Sequence, residues 1–512
     1  MENKKEFIEK AESLKPQLIN HQVHPISIIE VLKEPEDWSH RRKGDIANLN
    51  TLELGKDDSV CLDFGTHHVG FISLKISANV SGPDAPAYIR LKFGEHICEI
   101  AEDSAEYQGT LSSAWIQEEY IHIDVFPAEI KLPRRYAFRF LEIYVKDTSP
   151  RYKIILEHIA CTTVTSANVN MVEKINHLDK DLIRMDEVAV KTMQDCMQNV
   201  FEDGPKRDRR LWLGDLRLQA LVNYKTFKNY DLVKRCLYLF AGLSARNGQV
   251  SACLYTEPAP IADDIFLYDY SLFFISCLYD YYEASGDRKT LIELWDTAYR
   301  QIEIAAERVD EDGIVRDSDD WWCFLDWNKD LNKQAGAQAV FIYTLKQAKK
   351  VAETLSDSQR LLVINQLITH LCNGARNILW DTTRKFFASG ANRQISYASQ
   401  VWFVLAEVFD KNQNAELLKH LIKENPSVGM VTPYMYHHFI EALIQSDMKD
   451  EALQYLRSYW GAMVKDGADC FYEVYDPNDK YASPYGSRII NSYCHAWSGT
   501  PAYFIRKYYL DK

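Results

Sequence analysis

The hydrophobic pattern of this chain changes period once, and that change dictates two different kinds of fold in one polypeptide. In the first third, apolar side chains alternate. SVCLDFG carries Val60, Leu62 and Phe64, AYIRLKFGE carries Ile89, Leu91 and Phe93, and RYAFRFLEIYV carries Tyr136, Phe138 and Phe140. Period two puts every second side chain on one face of a strand. Gly, Pro, Asp and Ser turns separate the runs, and the last, YKIILEHIACTTV, ends near Val164. The pattern predicts an antiparallel β-sandwich over residues 1–168. Beyond it the spacing becomes helical: Ala337, Phe341, Thr344, Leu345 and Ala348 fall at i, i+4, i+7, i+8 and i+11. Similar stretches at 178–200, 213–227, 268–284, 290–308, 358–380, 395–410, 432–447, 450–463 and 491–509, with shorter candidates, predict roughly a dozen helices of ordinary length. That number in succession suggests an α-hairpin barrel or solenoid over residues 169–512.

With 512 residues the chain exceeds one hydrophobic core, so two domains agree with its size. A net charge of −14 argues against nucleic acid or an anionic membrane as partner. No window approaches a membrane span and the first residues lack a signal-peptide core, which predicts a cytoplasmic protein. The 11 Cys are scattered without a CxxC pair; they are expected to be reduced thiols, with neither a disulfide frame nor a zinc site. Aromatic residues reach 12%, with 11 Trp and 30 Tyr, an excess that fits a large core or a ring-lined groove. None of these patterns encodes an oligomeric state.

Four stretches could carry chemistry. DGPKRDRRLWLGD holds Asp203, Arg207, Asp208, Trp212 and Asp215. Gly204-Pro205 is expected to end a helix, and Asp215 to sit at the N-terminus of the next. A charged inter-helix loop with a capping Asp explains this much. A sugar site explains it too, since rings stack on the apolar sugar face while Asp and Arg hydrogen-bond hydroxyls. DCFYEVYDPNDKY embeds Glu473 among rings; it is either a general base or an edge residue facing water. NSYCHAWSGTP places His495 beside Cys494 on a predicted helix. Helical neighbours diverge by about 100°, which excludes a Cys–His nucleophilic pair, so His495 is a sugar ligand or a core histidine. DSDDWWCFLDW clusters Trp321, Trp322 and Trp327 with Asp319, Asp320 and Asp326 as pocket wall or core. The pairs His67–His68 and His437–His438 read as structural.

The first of these stretches resembles the signature of the α-L-rhamnosidases of glycoside hydrolase family 78. DWWCFLDW, FYEVYD and SYCHAWSGTPAYF agree in order and spacing, and LDFGTHHVGFISLKI, IRLKFGE and RRYAFRFLEI resemble the sandwich that precedes the barrel in that family. The resemblance implies an (α/α)₆ barrel with the site at its open end and an inverting mechanism. It implies that Asp203, Arg207 and Asp215 bind rhamnose hydroxyls, that Trp212 and Trp322 line the pocket, and that His495 hydrogen-bonds the sugar. Glu473 matches the general base. Asp208 stands at the general acid, where the family has a Glu. Arg207, Arg209 and Arg210 beside it are expected to lower its pKa. The two catalytic carboxyls are expected about 6.5–9.5 Å apart. The implied activity is removal of terminal α-L-rhamnose, or a related deoxy-sugar, with no cofactor or metal. A single sandwich and the absence of a C-terminal β domain imply small imported glycosides as substrates. The alternative is a sugar-binding homologue without catalysis; a hydrolase of another sugar is a weaker one.

Overall fold

One strand, Ser59–Ala78, organises the N-terminal domain. The computed structural model describes residues 2–34, 37–318 and 320–510. The first part of the strand pairs with Ser27–Glu34 on one side and Tyr136–Asp147 on the other. Its second part pairs with Ile154–Thr165 and Ala128–Lys131. The register shifts between Asp63 and His68. There Gly65 takes a φ of 87° and lends its N–H to Asp63 Oδ1. A Cβ at Gly65 would come within 2.8 Å of Ile26, so glycine is required at this bend. All pairings in this ten-stranded sheet system are antiparallel among the described residues. Leu62, Ile72, Leu74, Ile89, Leu91, Phe138 and Leu141 form the sandwich core; along Tyr136–Asp147 the alternation slips between Phe138 and Leu141, and Phe140, expected on the same face as Phe138, turns to the barrel instead.

Helix α1 (Glu2–Ser13) precedes the sandwich and α2 (Ile97–Ala101) is inserted in it. Six hairpins follow: α3 (Lys180–Cys196) with α4 (Leu213–Lys225), α5 (Tyr230–Gly242) with α6 (Tyr268–Ser285), and α7 (Arg288–Ala306) with α8 (Gln334–Leu355). Then come α9 (Ser358–Gly374) with α10 (Tyr397–Leu405), α11 (Lys411–Glu424) with α12 (Pro433–Gln445), and α13 (Lys449–Lys465) with α14 (Pro501–Phe504). The even-numbered helices from α4 form the inner ring. Each of α4 to α12 packs on the next, α12 meets the turn Ala496–Ser498 before α14, and α14 closes on α4. In the outer ring α13 returns to α3. Inner helices are buried on all sides: every residue from Leu213 to Asn223 is buried, as is all of α10. Outer helices bury one stripe, as α7 does through Leu291, Leu294, Ala298, Ile302 and Ala305. The barrel core runs on into Ile29, Trp38, Cys61 and Phe140 of the sandwich. No helix among the described residues is long and apolar enough to cross a membrane.

The sandwich followed by a hairpin barrel is the predicted architecture. Three local readings change. Helix α3 ends at Cys196, and an isolated bridge between Met197 and Phe201 intervenes, so Gly204-Pro205 terminates no helix. The segment 491–509 is α-helical only from Pro501, where proline sits in the first turn, after a single 3-10 turn at Ala496–Ser498; His495 is extended, with φ −141°. Helices α1, α2, α5 and α11 had no predicted range. Although it precedes the sandwich, α1 belongs to the helical layer. Phe7 and Ala11 are buried against α5, Lys10 pairs with Glu293 at 2.8 Å, and Lys4 donates to Ser244 O at 2.6 Å. Phe7→Ala is therefore expected to destabilise the barrel by about 3 kcal/mol. The measurement is the urea midpoint; an unchanged midpoint would show that α1 contributes no stability.

Candidate active site

The loop 203–212 is closed on itself. Asp203 accepts the N–H of Arg210 on Oδ1 at 3.0 Å and that of Asp208 on Oδ2 at 3.2 Å, and its own N–H reaches Arg210 O at 3.0 Å. Gly204 lies so close beneath that a Cβ would stand 2.4 Å from Arg207 O. Each cation of the loop has its own partner. Lys206 donates to Glu99 Oε1 at 2.7 Å. Arg209 donates to Pro205 O at 2.8 Å and Arg135 O at 2.9 Å. Arg210 lies over the Tyr255 ring at 4.5 Å, with Asp263 at 3.6 Å. Arg207 pairs with Glu473 Oε2, donates to Ile490 O at 3.2 Å and stacks on Tyr485. The opposed charges that mark this stretch are therefore a set of separate anchors.

A cavity of about 250 Å³ opens beside the loop. Seven of the eight sequence-predicted residues line it: Asp203, Asp208, Trp212, Asp215, Trp322, Glu473 and His495. Arg207 stands behind, its donors turned to Glu473 and Ile490 O. Its guanidinium also lies 3.7 Å from Asp208 Oδ1. Asp208 and Glu473 thus flank one guanidinium, which bounds their separation by its width and two contact distances. The remaining wall is Ile265, Leu267, Tyr270, Phe324, Trp327, Tyr485 and Trp497. Trp497 sits at the centre of the ring cluster, 5.8 Å from Phe324 and 5.5 Å from Trp327. The quoted NSYCHAWSGTP already contained it; Tyr485 lies in a polar stretch with no periodic signal. Trp322 is 63% exposed and forms the lip. A larger cavity, about 630 Å³, lies by Trp380, Phe409 and His420 on the outer helices and holds none of these carboxylates, so size alone does not locate the chemistry.

Two paired segments hold Glu473 and His495. His495 N–H donates to Phe471 O at 2.9 Å, and Glu473 N–H to Ser492 O at 3.0 Å. Trp497 Nε1 caps Glu473 O at 2.9 Å. Glu473 Oε1 receives the Tyr485 hydroxyl at 2.9 Å. Burial followed by the nearby Arg207 charge holds His495 well below its ordinary pKa, so the ring is neutral. Its Nε2 lies 3.9 Å from each of Asp203, Asp215 and Glu473. Its Nδ1 is buried with no protein partner among the described residues.

Burial also controls the other carboxyls. It raises Asp203 to about 8, helped by Asp208, and raises Asp215 well above the carboxylate range, helped by Asp203 and Glu473. Asp208 is raised as well. Burial is the largest cause, and although Arg207 and Arg210 oppose it, Glu473 and Asp263 add to it. The expectation that neighbouring arginines would lower Asp208 is thereby overturned: desolvation and the second carboxylate outweigh them.

Other predicted features have structural employment. Asp326 accepts from Val431 N–H, Thr432 N–H and Thr432 Oγ1, fixing the start of α12. Asp320 pairs with Arg308 on the surface, and Trp321 packs on Tyr268 and Arg308; Asp319 lies outside the described residues. His67, Asp195, Cys470 and Cys494 are gathered closely enough to consider a metal. However, His67 Nδ1 is 2.6 Å from Asp195 Oδ2, a hydrogen-bond distance, and Lys191 occupies the other Asp195 oxygen at 2.7 Å. His67 thus lies between the Asp195 and Glu95 carboxylates.

The comparisons with known proteins agree along the chain. Residues 25–163 match the glycosyl hydrolase family 78 α-rhamnosidase N-terminal domain, and residues 172–509 match the bacterial α-L-rhamnosidase six-hairpin glycosidase domain. A rhamnosidase from Klebsiella oxytoca, solved with rhamnose bound, is 48% identical with a TM-score of 0.96, over 98% of both chains. A family 78 rhamnosidase from Bacillus sp. GL1 shares the fold at 20% identity and a TM-score of 0.74, over 94% of this chain and 47% of that one. An α-L-rhamnosidase from Dictyoglumus thermophilum does so at 18% identity and a TM-score of 0.69, over 96% of this chain and 52% of that one. Among curated proteins, none matches. With both domains matched in order around a carboxylate-lined cavity, the chain belongs to the bacterial α-L-rhamnosidases of glycoside hydrolase family 78.

Proposed function

We propose that the protein is an inverting, exo-acting α-L-rhamnosidase with Asp208 as general acid and Glu473 as general base. The observation that carries this is the placement of both carboxyls on one small cavity, on either side of the Arg207 guanidinium. Inversion needs a proton donor at the leaving oxygen and a base that directs water to the opposite face. Asp208 is the only one of the four cavity carboxyl residues that is not fully buried, and its pKa is raised, as a donor requires. Glu473 is oriented by Arg207 and Tyr485 and keeps lone pairs for a water. Protonated Asp203 and Asp215 and neutral His495 present hydrogen bonds to hydroxyls without net charge, and Trp212, Phe324 and Trp497 supply apolar faces. The rhamnose held by the Klebsiella oxytoca relative supports the choice of sugar. A cavity of this volume accommodates one sugar ring, which favours release of a terminal residue.

The wild type is expected to release p-nitrophenol from the α-L-rhamnoside, with β-L-rhamnose as the first product by NMR. Glu473→Gln and Asp208→Asn are expected to lose about 10²–10⁴-fold in kcat while still binding rhamnose. Rhamnose binding by a wild type that turns over no rhamnoside would overturn the reading. Stability offers a separate check. Unfolded, Asp203 ionises near its ordinary value of 3.8; folded, it keeps its proton up to about 8. Between those values the folded state holds a proton that the unfolded chain has released, so this group lowers stability as pH rises. Asp203→Asn is expected to gain Tm relative to wild type from about pH 5 to about pH 8. Parallel Tm curves would contradict the assignment.

A further inference from the structure

The two loops of the cavity are held from the other domain. Glu95 directly follows the strand Ala87–Gly94 and is buried. Its Oε1 meets His67 Nε2 at 3.1 Å. Its Oε2 accepts the N–H of Tyr493 at 2.8 Å and lies 3.4 Å from Lys206 Nζ. Lys206 is itself shared with Glu99 and with Asn491 O. Lys206 stands two residues before Asp208, and Tyr493 two before His495. One sandwich carboxylate therefore touches both segments that carry the site, yet Glu95 forms no part of the cavity wall.

The arrangement is costly for mere adhesion. A carboxylate this deep loses its hydration, and apolar side chains join domains at least as well. What the ions add is direction: burial alone would raise Glu95, but Lys206, His67 and the Tyr493 N–H together hold it ionised. The backbone N–H of Tyr493 and the His67 ring are directional donors to the two carboxylate oxygens, so the pair of contacts orients Glu95 and, through it, the Tyr493 segment.

We propose that Glu95 is a positioning residue of the glycosidase site, which fixes the Asp208 loop against the His495 segment from the sandwich. The proposal rests on Asp208 being the general acid. A displacement of about 1 Å at a catalytic group is enough to cost on the order of 100-fold in rate. The loss should fall on the step that needs proton donation, so it depends on the leaving group.

The test compares methyl and dinitrophenyl α-L-rhamnosides, with kcat normalised to sites counted by rhamnose titration. Glu95→Gln is expected to lose about 10- to 100-fold on the methyl glycoside and less than about 3-fold on the dinitrophenyl one, whose leaving group needs no proton. Asp208→Asn, run beside it, is expected to show the same pattern more strongly. Equal proportional losses on both substrates, or no loss, would overturn the role of Glu95. A wild-type enzyme with an Asp208→Asn variant insensitive to leaving group would instead remove the acid assignment beneath it. Should Glu95→Gln not fold, Glu95→Asp keeps a charge beside Lys206 and His67 but cannot reach Tyr493 N–H from the same backbone, and is expected to give the same leaving-group signature.

Discussion

Asp203, Asp208, Asp215 and Glu473 line one cavity, with the Arg207 guanidinium behind Asp208 and Glu473, and three of the four are buried. At 4 Å and an effective dielectric of 20, two ionised carboxylates repel by about 4 kcal/mol. Four full charges in this space would therefore oppose the fold. The site avoids this by dividing protons among them. Glu473 takes Arg207 and the Tyr485 hydroxyl, Asp203 and Asp215 keep their protons, and Asp208 at the open side is raised. Environments that push neighbouring carboxyls apart in acidity are also what acid and base chemistry needs. The electrostatic condition for folding and the condition for catalysis are here the same condition.

Meeting it requires backbone held from several directions. The Asp203 loop is closed by its own hydrogen bonds, the Glu473 and His495 segments are tied by two backbone hydrogen bonds, and α4 begins immediately behind Trp212. The inner helices supply the apolar floor because they are buried on every side. The sandwich supplies what the barrel lacks at this end, a row of charged side chains reaching Lys206 and Glu202: Glu95 and Glu99 on the former, Arg135 on the latter at 2.6 Å.

Much of this was legible in the sequence, and the omissions have physical reasons. The sandwich was readable because one face of each strand is buried, which enforces period two. Of the outer helices, α3, α7, α9 and α13 were readable for the same reason at period 3.6, whereas α5 and α11 were not. The stretch 491–509 misled because the dense apolar and aromatic residues of its first half serve a buried irregular segment with one short turn, where burial on both sides erases periodicity. Helix α1 carries mostly charged residues and buries little beyond Phe7 and Ala11, so its pattern is weak. Within the site, the identities of seven wall residues followed from the resemblance, but what each does there did not. Arg207, read as a ligand for hydroxyls, pairs with Glu473, a contact that no local pattern announces. Asp208 looked like a carboxylate in a cationic setting, because sequence displays neighbours and conceals burial.

Asp208, at the position proposed for the acid, where the family resemblance implies a Glu, connects these points. A Glu can meet the leaving oxygen by adjusting one more torsion; an Asp has one methylene less, so the backbone must deliver it. Its side chain also has fewer rotamers to lose on ordering. The loop that carries Asp208 is braced accordingly: Asp203 fixes the N–H of Asp208 itself, Arg209 ties the turn to Pro205 O and Arg135 O, and Lys206 is locked between two glutamates. A shorter acid and a more rigid loop are two descriptions of one solution, in which accuracy resides in the backbone and reaches Asp208 from the neighbouring domain.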